Sequence, residues 1–267
     1  MNARLQGKTA IVVGAGQTPG MTVGNGRATA ITFAREGADV LLVDRDEAAV
    51  RDTHDAISSE GLHSHVLVCD IGDDEAPVAL VLAARDIFGR IDILHNNVGT
   101  GAGDATPHRL EEEDYDRIMD LNLRAMWRTC KAVVPVMREQ GGGGVITNIS
   151  SIAAIAGAGA LTAYKLSKAG VNALTQNLAL TNAKHGIRAN AIMPGFIDTP
   201  LAVDAPAAIS GTPREEIAAR RAAAVPLGRQ GTAWDVANAA LFLASDDAAF
   251  ITGVILPVDG GQSARIG

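Results

Sequence analysis

The segment KTAIVVGAGQTPGMTVGNG, residues 8–26, decides the fold of the chain. Residues 8–14 form a short run, rich in β-branched residues and ending in glycine, which is typical of a buried strand. From Asn25 the apolar residues recur at helical spacing, and Gly37 predicts the end of that helix. A glycine-rich turn between a strand and a helix lets a phosphate approach the backbone amides. The segment therefore predicts the first unit of a nucleotide-binding sheet.

The same strand-then-helix pattern continues along the rest of the chain. A second strand is predicted at residues 39–43, and Asp44 follows it directly. Further strand-like runs lie at 65–69, 91–95, 144–149, 187–193 and 254–258. Strands that alternate with helices imply right-handed crossovers and a parallel α/β sheet. No linker, repeat or low-complexity tract divides residues 1–267, so we expect a single domain.

Composition and charge argue against several classes of protein. Hydrophobic residues make up 47% of the 267 residues and aromatic ones 3%, so small aliphatic side chains must fill the core. The net charge of −7 and the absence of long basic runs argue against nucleic acid and anionic membrane surfaces. No targeting or membrane-spanning run is visible. Cys69 and Cys130 lack CxxC spacing, which favours reduced thiols and a cytoplasmic location. His63 and His65 lack carboxylates at ligand spacing, so no metal is expected.

The stretch SIAAIAGAGALTAYKLSK, residues 151–168, carries the candidate chemistry. Tyr164 and Lys168 are four residues apart and share a helix face, and Ser151 precedes the tyrosine by thirteen residues. A nearby ammonium favours the phenolate of a tyrosine, whose ordinary pKa is roughly 10. Tyr164 could then exchange a proton with a substrate oxygen held by Ser151. An isolated Tyr-x-x-x-Lys pair is otherwise typical of an exposed lysine beside a half-buried tyrosine.

Together with the glycine-rich start, the Asn96–Gly99 turn and the Pro194–Gly195 turn, these residues resemble the classical short-chain dehydrogenase/reductase family over nearly the whole chain. The resemblance implies one doubly wound Rossmann-type domain, with a central parallel sheet of about seven strands flanked by helices on both faces. It also implies a homotetramer, in which the helix after Tyr164 joins the one near residues 108–138 in a subunit contact.

The glycine-rich loop departs from the G-x-x-x-G-x-G pattern of that family. Gly20, Gly24 and Gly26 match the pattern by themselves, but Gly14 is the glycine that follows the strand. We expect Gly14 and Gly26 to end the phosphate loop, with Gly24 and Asn25 beside the cofactor and about six extra residues inserted. The roles of Gly16, Gly20 and Gly24 stay open, and a flexible surface turn is the alternative.

Two acidic residues are assigned to the adenosine half of a cofactor. Asp44 can accept hydrogen bonds from ribose hydroxyls and would repel a 2′-phosphate, which favours NAD over NADP. Arg45 beside it partly offsets that repulsion. Asp70, followed by Ile71, resembles the family aspartate that contacts adenine, and it is also a candidate cap for a helix over residues 73–87.

The resemblance assigns further residues to the cofactor after two other strands. Asn97, Val98 and Gly99 would support its adenosine half and the central sheet. Pro194 and Gly195 would form the turn before its nicotinamide end. Ile197, through its backbone, and Thr199 would then hold the carboxamide of the ring.

Asn122 and Ser151 each have an alternative reading. Asn122 lies on an apolar helix stripe, where an unpartnered amide would cost on the order of 1–3 kcal/mol. It is either a satisfied core residue or, as the resemblance implies, the anchor of a water that relays protons from Lys168. Ser150 adjoins Ser151, and neighbours in an extended strand face opposite ways. The interval to Tyr164 selects Ser151, with Ser150 as its support.

Residues 198–226 are predicted to form a lid over the substrate, with a plain surface excursion as the alternative. Thr212, Pro213 and Glu215 predict a helix start within it. The favoured function is NAD-dependent interconversion of a secondary alcohol and a ketone, in which Lys168 lowers the pKa of Tyr164 and holds the nicotinamide ribose. A 3-oxoacyl thioester reductase using NADPH and a catalytically silent nucleotide-binding scaffold are the alternatives. Segments around the pocket carry few charges, which favours a neutral or weakly polar substrate.

Overall fold

The computed structural model describes residues 3–157 and 159–264. Its main strands are β1 (Thr9–Val13), β2 (Asp39–Asp44), β3 (Ser64–Val68), β4 (Ile93–Asn96), β5 (Gly144–Ile149), β6 (Ile187–Pro194) and β9 (Ile255–Val258). They pair in parallel in the order β3-β2-β1-β4-β5-β6-β9. Two further strands of two residues each, β7 (Ile197–Asp198) and β8 (Gly231–Thr232), pair separately.

Helices connect these strands and cover the sheet. They are α1 (Asn25–Arg35), α2 (Glu47–Ser59), α3 (Ala76–Phe88), α4 (Glu112–Met119), α5 (Ala125–Gln140), α6 (Thr162–Asn182), α7 (Ala205–Ser210), α8 (Arg214–Ala223) and α9 (Ala233–Ala244). Two π-helical turns, Asp120–Arg124 and Pro200–Asp204, precede α5 and α7. The architecture is the predicted Rossmann-type α/β fold, with a parallel sheet of seven strands flanked by helices.

The sheet has a buried layer on each face, because successive side chains of a strand point to opposite sides. Val12 and Leu42 pack with Phe33 of α1 and Leu241 of α9 in one layer. The other layer joins strand residues next to these with side chains of α3 and α5. All residues of β1 and β2 except Thr9, Asp39 and Asp44 are buried and aliphatic, as expected for a sheet covered on both faces.

The strand order reverses between β1 and β4, which places the functional loops together. Val13 pairs with Val43 on one side and with Asn96 on the other. The segments that leave the carboxyl ends of β1, β2 and β4 therefore start side by side. In sheets of this type, ligands bind in the crevice at such a switch point.

The structure confirms the seven predicted strands with shifts of at most two residues at their ends. The helix expected over residues 73–87 begins later, at Ala76. Asp70 does not cap it, since its Oδ1 instead accepts a hydrogen bond from Gly72 N at 2.9 Å.

Among residues 3–157 and 159–264, no helix is both long enough and apolar enough to cross a bilayer. Within the same residues, no three His, Cys, Asp or Glu side chains are grouped as ligands for a metal ion.

Candidate active site

The start of α1 forms an open cradle at the switch point. Its N-cap, Gly24, has extended backbone and no capping side chain, and no acidic residue lies in the first turn. A Cβ on Gly26 would lie 1.8 Å from the Gly14 carbonyl oxygen, so only glycine fits there. Asn97 Nδ2 donates to that same carbonyl at 3.2 Å. Uncovered amides, a helix dipole and a close backbone approach fit the pyrophosphate of a dinucleotide.

The inserted part of the loop packs inward and against the segment after β7. Gln17 Oε1 accepts a hydrogen bond from Gly24 N at 3.1 Å and so folds the loop onto itself. Met21 N donates to Asp204 Oδ1 at 3.0 Å. A Cβ on Gly20 would lie 2.7 Å from Cβ of Pro200, so this glycine permits the close approach. The insertion is therefore held by hydrogen bonds both within the loop and to the segment after β7.

Asp44 lies at the carboxyl end of β2 and faces the loop. Its Oδ2 accepts from Gly16 N at 2.9 Å, and its Oδ1 accepts from Asp46 N at 3.1 Å. Arg45 extends to Asp70, with Nη1 3.6 Å from Oδ2. This exposed ion pair between Arg45 and Asp70 is weak, but it directs the guanidinium toward the end of β3. The backbone amide of Gly16 is therefore a hydrogen-bond donor to Asp44.

The Asn96–Gly99 turn is joined to the helices beneath it. Asn96 Nδ2 donates to Asn148 Oδ1 at 2.9 Å, and Thr129 Oγ1 donates to Asn96 Oδ1 at 3.0 Å. Asn148 Nδ2 in turn donates to Thr175 Oγ1 on α6 at 3.0 Å. These buried bonds connect α5, β4, β5 and α6. Ile71 is buried in the neighbouring core layer, and Val98 packs against Gly14.

Lys168 and Tyr164 meet at the carboxyl edge of the sheet. Lys168 is 2% exposed, and its Nζ donates to Ile149 O at 2.9 Å. The same Nζ is 5.7 Å from the centroid of the Tyr164 ring. A Cβ on Gly99 would lie only 2.9 Å from this nitrogen. The glycine therefore leaves space above the lysine.

The pKa directions in this cluster differ from the sequence expectation. Burial raises the pKa of Tyr164, and the facing Ser151 hydroxyl offsets part of that rise. Burial also lowers the pKa of Lys168 to about 8. The net direction for the pKa of Tyr164 is therefore opposite to the sequence expectation, and a lowering of that pKa by Lys168 stays a prediction. The physical reason is that desolvation of the phenol is the largest effect, while the ammonium is hydrogen-bonded to a backbone carbonyl.

The two adjacent serines point in different directions, as the extended backbone requires. Ser150 is 2% exposed, and its Oγ donates to the Lys168 carbonyl oxygen at 3.2 Å. Ser151 Oγ accepts from Ala153 N at 3.2 Å and faces Tyr164. Ser151 is thus the serine beside the tyrosine, while Ser150 holds the helix backbone at Lys168.

Asn122 lies in the π-helical turn Asp120–Arg124 and is fully buried. Its Oδ1 accepts from Thr100 N at 2.7 Å, and its Nδ2 donates to Thr100 O at 2.9 Å and to Ser167 Oγ at 3.1 Å. The side-chain amide is thus a satisfied core group that clamps the loop after β4 to α6. A π turn widens the helix at this point, a feature often found at functional sites. A water relay remains a prediction.

The Pro194–Gly195 turn is fixed by the last turn of the described chain. A Cβ on Gly195 would lie 2.6 Å from Cβ of Asp259. Gln262 Oε1 accepts from Phe196 N at 2.7 Å. The Ile197 carbonyl accepts from Arg221 Nη2 at 3.3 Å, and Thr199 is buried.

A half-buried charge cluster joins the end of β7 to the segment that follows it. Arg214 Nη2 is 2.5 Å from Asp198 Oδ1, and its Nε is 3.3 Å from Asp204 Oδ1. Arg214 therefore bridges the two ends of the segment from Asp198 to Asp204. Asp204 also accepts the hydrogen bond from Met21 N. Thr212 is not the N-cap of α8, contrary to prediction. Its backbone amide donates to Ser210 Oγ at 3.2 Å in the preceding turn, and α8 begins after Pro213.

Comparisons with known proteins identify the family of this chain. A family profile described as enoyl-(acyl carrier protein) reductase matches residues 20–263. The 3-oxoacyl-(acyl-carrier-protein) reductase FabG of Thermotoga maritima is 36% identical over 262 residues, which are 97% of this chain and 98% of the relative. Levodione reductase of Leifsonia aquatica is 35% identical over 243 residues, which are 90% of this chain and 91% of the relative. Carveol dehydrogenase of Mycobacterium avium, solved in complex with NAD, has a TM-score of 0.91 at 28% identity and covers 98% of this chain and 100% of its own.

The chain therefore belongs to the classical short-chain dehydrogenase/reductase family, as its motifs predicted. It is an oxidoreductase of that family. Sequence reasoning missed Gln17, Asp104 and Arg214, because their partners depend on how loops fold; those of Asp104 lie 58 to 60 positions away. Of these, only Asp104 carried a signal, a single carboxylate within a glycine- and alanine-rich loop.

Proposed function

We propose that the chain is an NAD(H)-dependent oxidoreductase that interconverts a secondary alcohol and a ketone. The observation that carries this proposal is the meeting of Ser151, Tyr164 and Lys168 beside Gly99, at the edge of the sheet where the Gly14–Gly26 cradle opens. The nicotinamide of a bound NAD supplies the hydride acceptor for oxidation of the alcohol.

In the oxidation direction, Tyr164 accepts the hydroxyl proton of the substrate, and Ser151 donates a hydrogen bond to the developing alkoxide. Lys168 would hold the nicotinamide ribose and, with Asn122 and a water, would pass the proton toward solvent. Because burial raises the pKa of Tyr164, its basic form is favoured by alkaline pH. Oxidation should therefore speed up as the pH rises above neutral, and ketone reduction should slow.

Asp44 supports NAD over NADP. Its carboxylate faces the loop between β1 and α1, where a 2′-phosphate would meet a negative charge. Arg45, the cation that would offset this repulsion, extends instead toward Asp70. The carveol dehydrogenase structure, which contains NAD, is consistent with the same preference.

A 3-oxoacyl thioester reductase is the second candidate, because the Thermotoga FabG is 36% identical over 97% of this chain. Asp44 argues against the NADPH that such biosynthetic reductases usually take. Ile155 in the candidate catalytic stretch and Leu201 and Ile209 in the proposed lid are exposed, which supports a neutral or weakly polar substrate. We also propose that residues 198–226 act as a lid on a single cytoplasmic domain.

The deciding experiment measures absorbance of the nicotinamide band with NAD or NADP and a panel of secondary alcohols and 3-oxoacyl thioesters. The proposal expects turnover of an alcohol with a higher kcat/KM for NAD. Preferential turnover of the thioester with NADPH would instead select the second candidate. Nucleotide binding without any turnover would point to a catalytically silent scaffold.

Oligomeric state is tested separately, by light scattering during size-exclusion chromatography. We propose a homotetramer, which is supported by exposed Tyr115, Trp127 and Leu166 on α4, α5 and α6. A monomeric mass at micromolar concentration would contradict it.

A further inference from the structure

The helix that carries Tyr164 begins without a capping side chain of its own. Its N-cap is Leu161, which makes no side-chain hydrogen bond to the helix, and the first turn contains no acidic residue. Tyr164 is the third residue of α6, so its backbone N–H is one of the amides that the helix leaves without an internal partner. Unless another group bonds these amides, the first turn of a helix frays readily.

Asp104 provides the missing partner from the loop after β4. Its Oδ1 accepts from Thr162 N at 3.0 Å and from Ala163 N at 3.2 Å. Its Oδ2 accepts from Tyr164 N at 2.8 Å. One carboxylate thus binds three consecutive amides of α6 from 58 to 60 positions away in the sequence. Thr162 Oγ1 donates back to Ala105 O at 2.6 Å, which closes the junction.

The loop that holds Asp104 is itself fixed at its other end. The amide of Asn122 bonds both the N–H and the C=O of Thr100, and it also bonds Ser167 on α6. A Cβ on Gly101 would lie 3.6 Å from Cδ2 of Tyr164, so the loop backbone packs along the tyrosine ring. The loop therefore reaches Tyr164 from both the ring side and the backbone side.

We propose that Asp104 is a positioning residue, whose carboxylate fixes the first turn of α6 so that the Tyr164 hydroxyl meets Ser151 and the substrate oxygen. This inference rests on the proposed role of Tyr164 in proton transfer. The bond from Oδ2 to Tyr164 N sets the backbone from which the ring projects. The charge also matters, because a carboxylate at this helix end opposes the helix dipole, which on its own would favour a phenolate in the first turn.

Asp104→Asn tests the roles of the two carboxylate oxygens separately. The amide can keep its oxygen at the Oδ1 position as a cap, but its NH2 group cannot accept from Tyr164 N. We expect kcat to fall about tenfold, since misplacement of a reacting group by about 1 Å can cost up to a hundredfold. The dissociation constant for NADH should stay within twofold, because the nucleotide binds at α1.

Thr162→Val is the matched control at the same helix start. It removes the bond to Ala105 O but keeps every bond of Asp104. We expect a lower urea midpoint for this variant with kcat within twofold of wild type. Equal losses of kcat in the two variants, at equal losses of stability, would overturn the proposal. So would an Asp104→Asn protein with wild-type kcat.

A second measurement needs no turnover. The chain contains two tyrosines, so Tyr115→Phe leaves Tyr164 as the single phenol. Tyr164 faces Ser151 and Lys168, with Asp104 behind it at the helix start. In this background, phenolate absorbance should show that Asp104→Asn lowers the pKa of Tyr164 by roughly half a unit, because a neighbouring negative charge is lost. An unchanged or higher pKa would overturn the proposal, even if the wild-type protein turned over no alcohol and the proposed function failed.

Discussion

Two helices begin at the same edge of the sheet, and both lack a capping side chain of their own. α1 starts at Gly24, and its amides have no carboxylate near them in the first turn. α6 starts at Leu161, and Asp104 binds its first three amides from a distant loop. By contrast, α9, whose first residue Ala233 packs with Ala28 of α1, carries its own capping box, formed by Thr232 and Asp235.

The difference shows how one physical property is used in two ways. The N-terminus of a helix favours an anion, because unpaired amides and the helix dipole converge there. At α6 the protein supplies the anion itself, which holds a candidate catalytic residue in place. At α1 it supplies none, so the phosphates of a dinucleotide can take that position. Changes at the two ends should therefore separate catalysis from binding.

Tyr164→Phe should have the largest effect, and it acts at the α6 end. Loss of a proton-transfer group typically costs 10²–10⁴-fold, so kcat should fall by about that factor. The NADH dissociation constant, measured by fluorescence, should stay near the wild-type value because the α1 cradle is untouched. Near-normal turnover would contradict the proton-transfer role of this residue.

Gly26→Ala should give the opposite pattern at the α1 end. The new Cβ would lie 1.8 Å from the Gly14 carbonyl oxygen, so the helix start must shift. We expect NADH affinity to fall by about a hundredfold and stability by roughly 1–3 kcal/mol. Gly24→Ala is the control in the same loop. The new Cβ would contact only Gln17, whose own Cβ would lie 3.1 Å away. If both variants lost affinity equally, the close approach at Gly26 would not be the cause.

Asp44→Ser should change the choice of nucleotide with a smaller effect. Removal of the carboxylate relieves repulsion of a 2′-phosphate, so the ratio of kcat/KM for NAD over NADP should fall about tenfold. Asp46→Ser is the matched control, because serine can still cap α2 and the residue does not face the loop glycines. An unchanged ratio in Asp44→Ser would remove the basis for NAD preference.

Asn25→Asp should have the smallest effect and most directly tests the contrast between the two helix ends. It places a carboxylate in the first turn of α1, much as Asp104 does for α6. Stability should rise by about 0.3–1 kcal/mol through the helix dipole. NADH affinity should fall a few-fold, and less so at high salt, where charge repulsion is screened. A gain in affinity would show that the open end is not the phosphate site.

Local sequence patterns predicted the sheet, because each long strand is a run of aliphatic residues with its own boundary. The same reasoning could not find β7 or β8, since two residues show no periodicity. Thr212 satisfied the local rule for a helix start, yet its amide bonds back to Ser210 and the helix begins later.

The residues of the candidate site also fall into those that local spacing could predict and those that it could not. Residues within one motif, such as Tyr164 and Lys168, could be paired from spacing alone. Asp104 could not be assigned, because its partners lie more than fifty residues away and depend on how two loops pack. The pKa direction of Tyr164 was also beyond the sequence, which shows the neighbouring lysine but not the burial of the phenol.

The hydrogen bond from Met21 to Asp204 joins the glycine-rich loop, which we propose holds the nucleotide, to the proposed lid. Neither segment can swing outward alone without breaking that bond or dragging the other with it. Under the proposed function, departure of product and loosening of the nucleotide are therefore expected to be coupled through this bond, by about 0.5–1.5 kcal/mol.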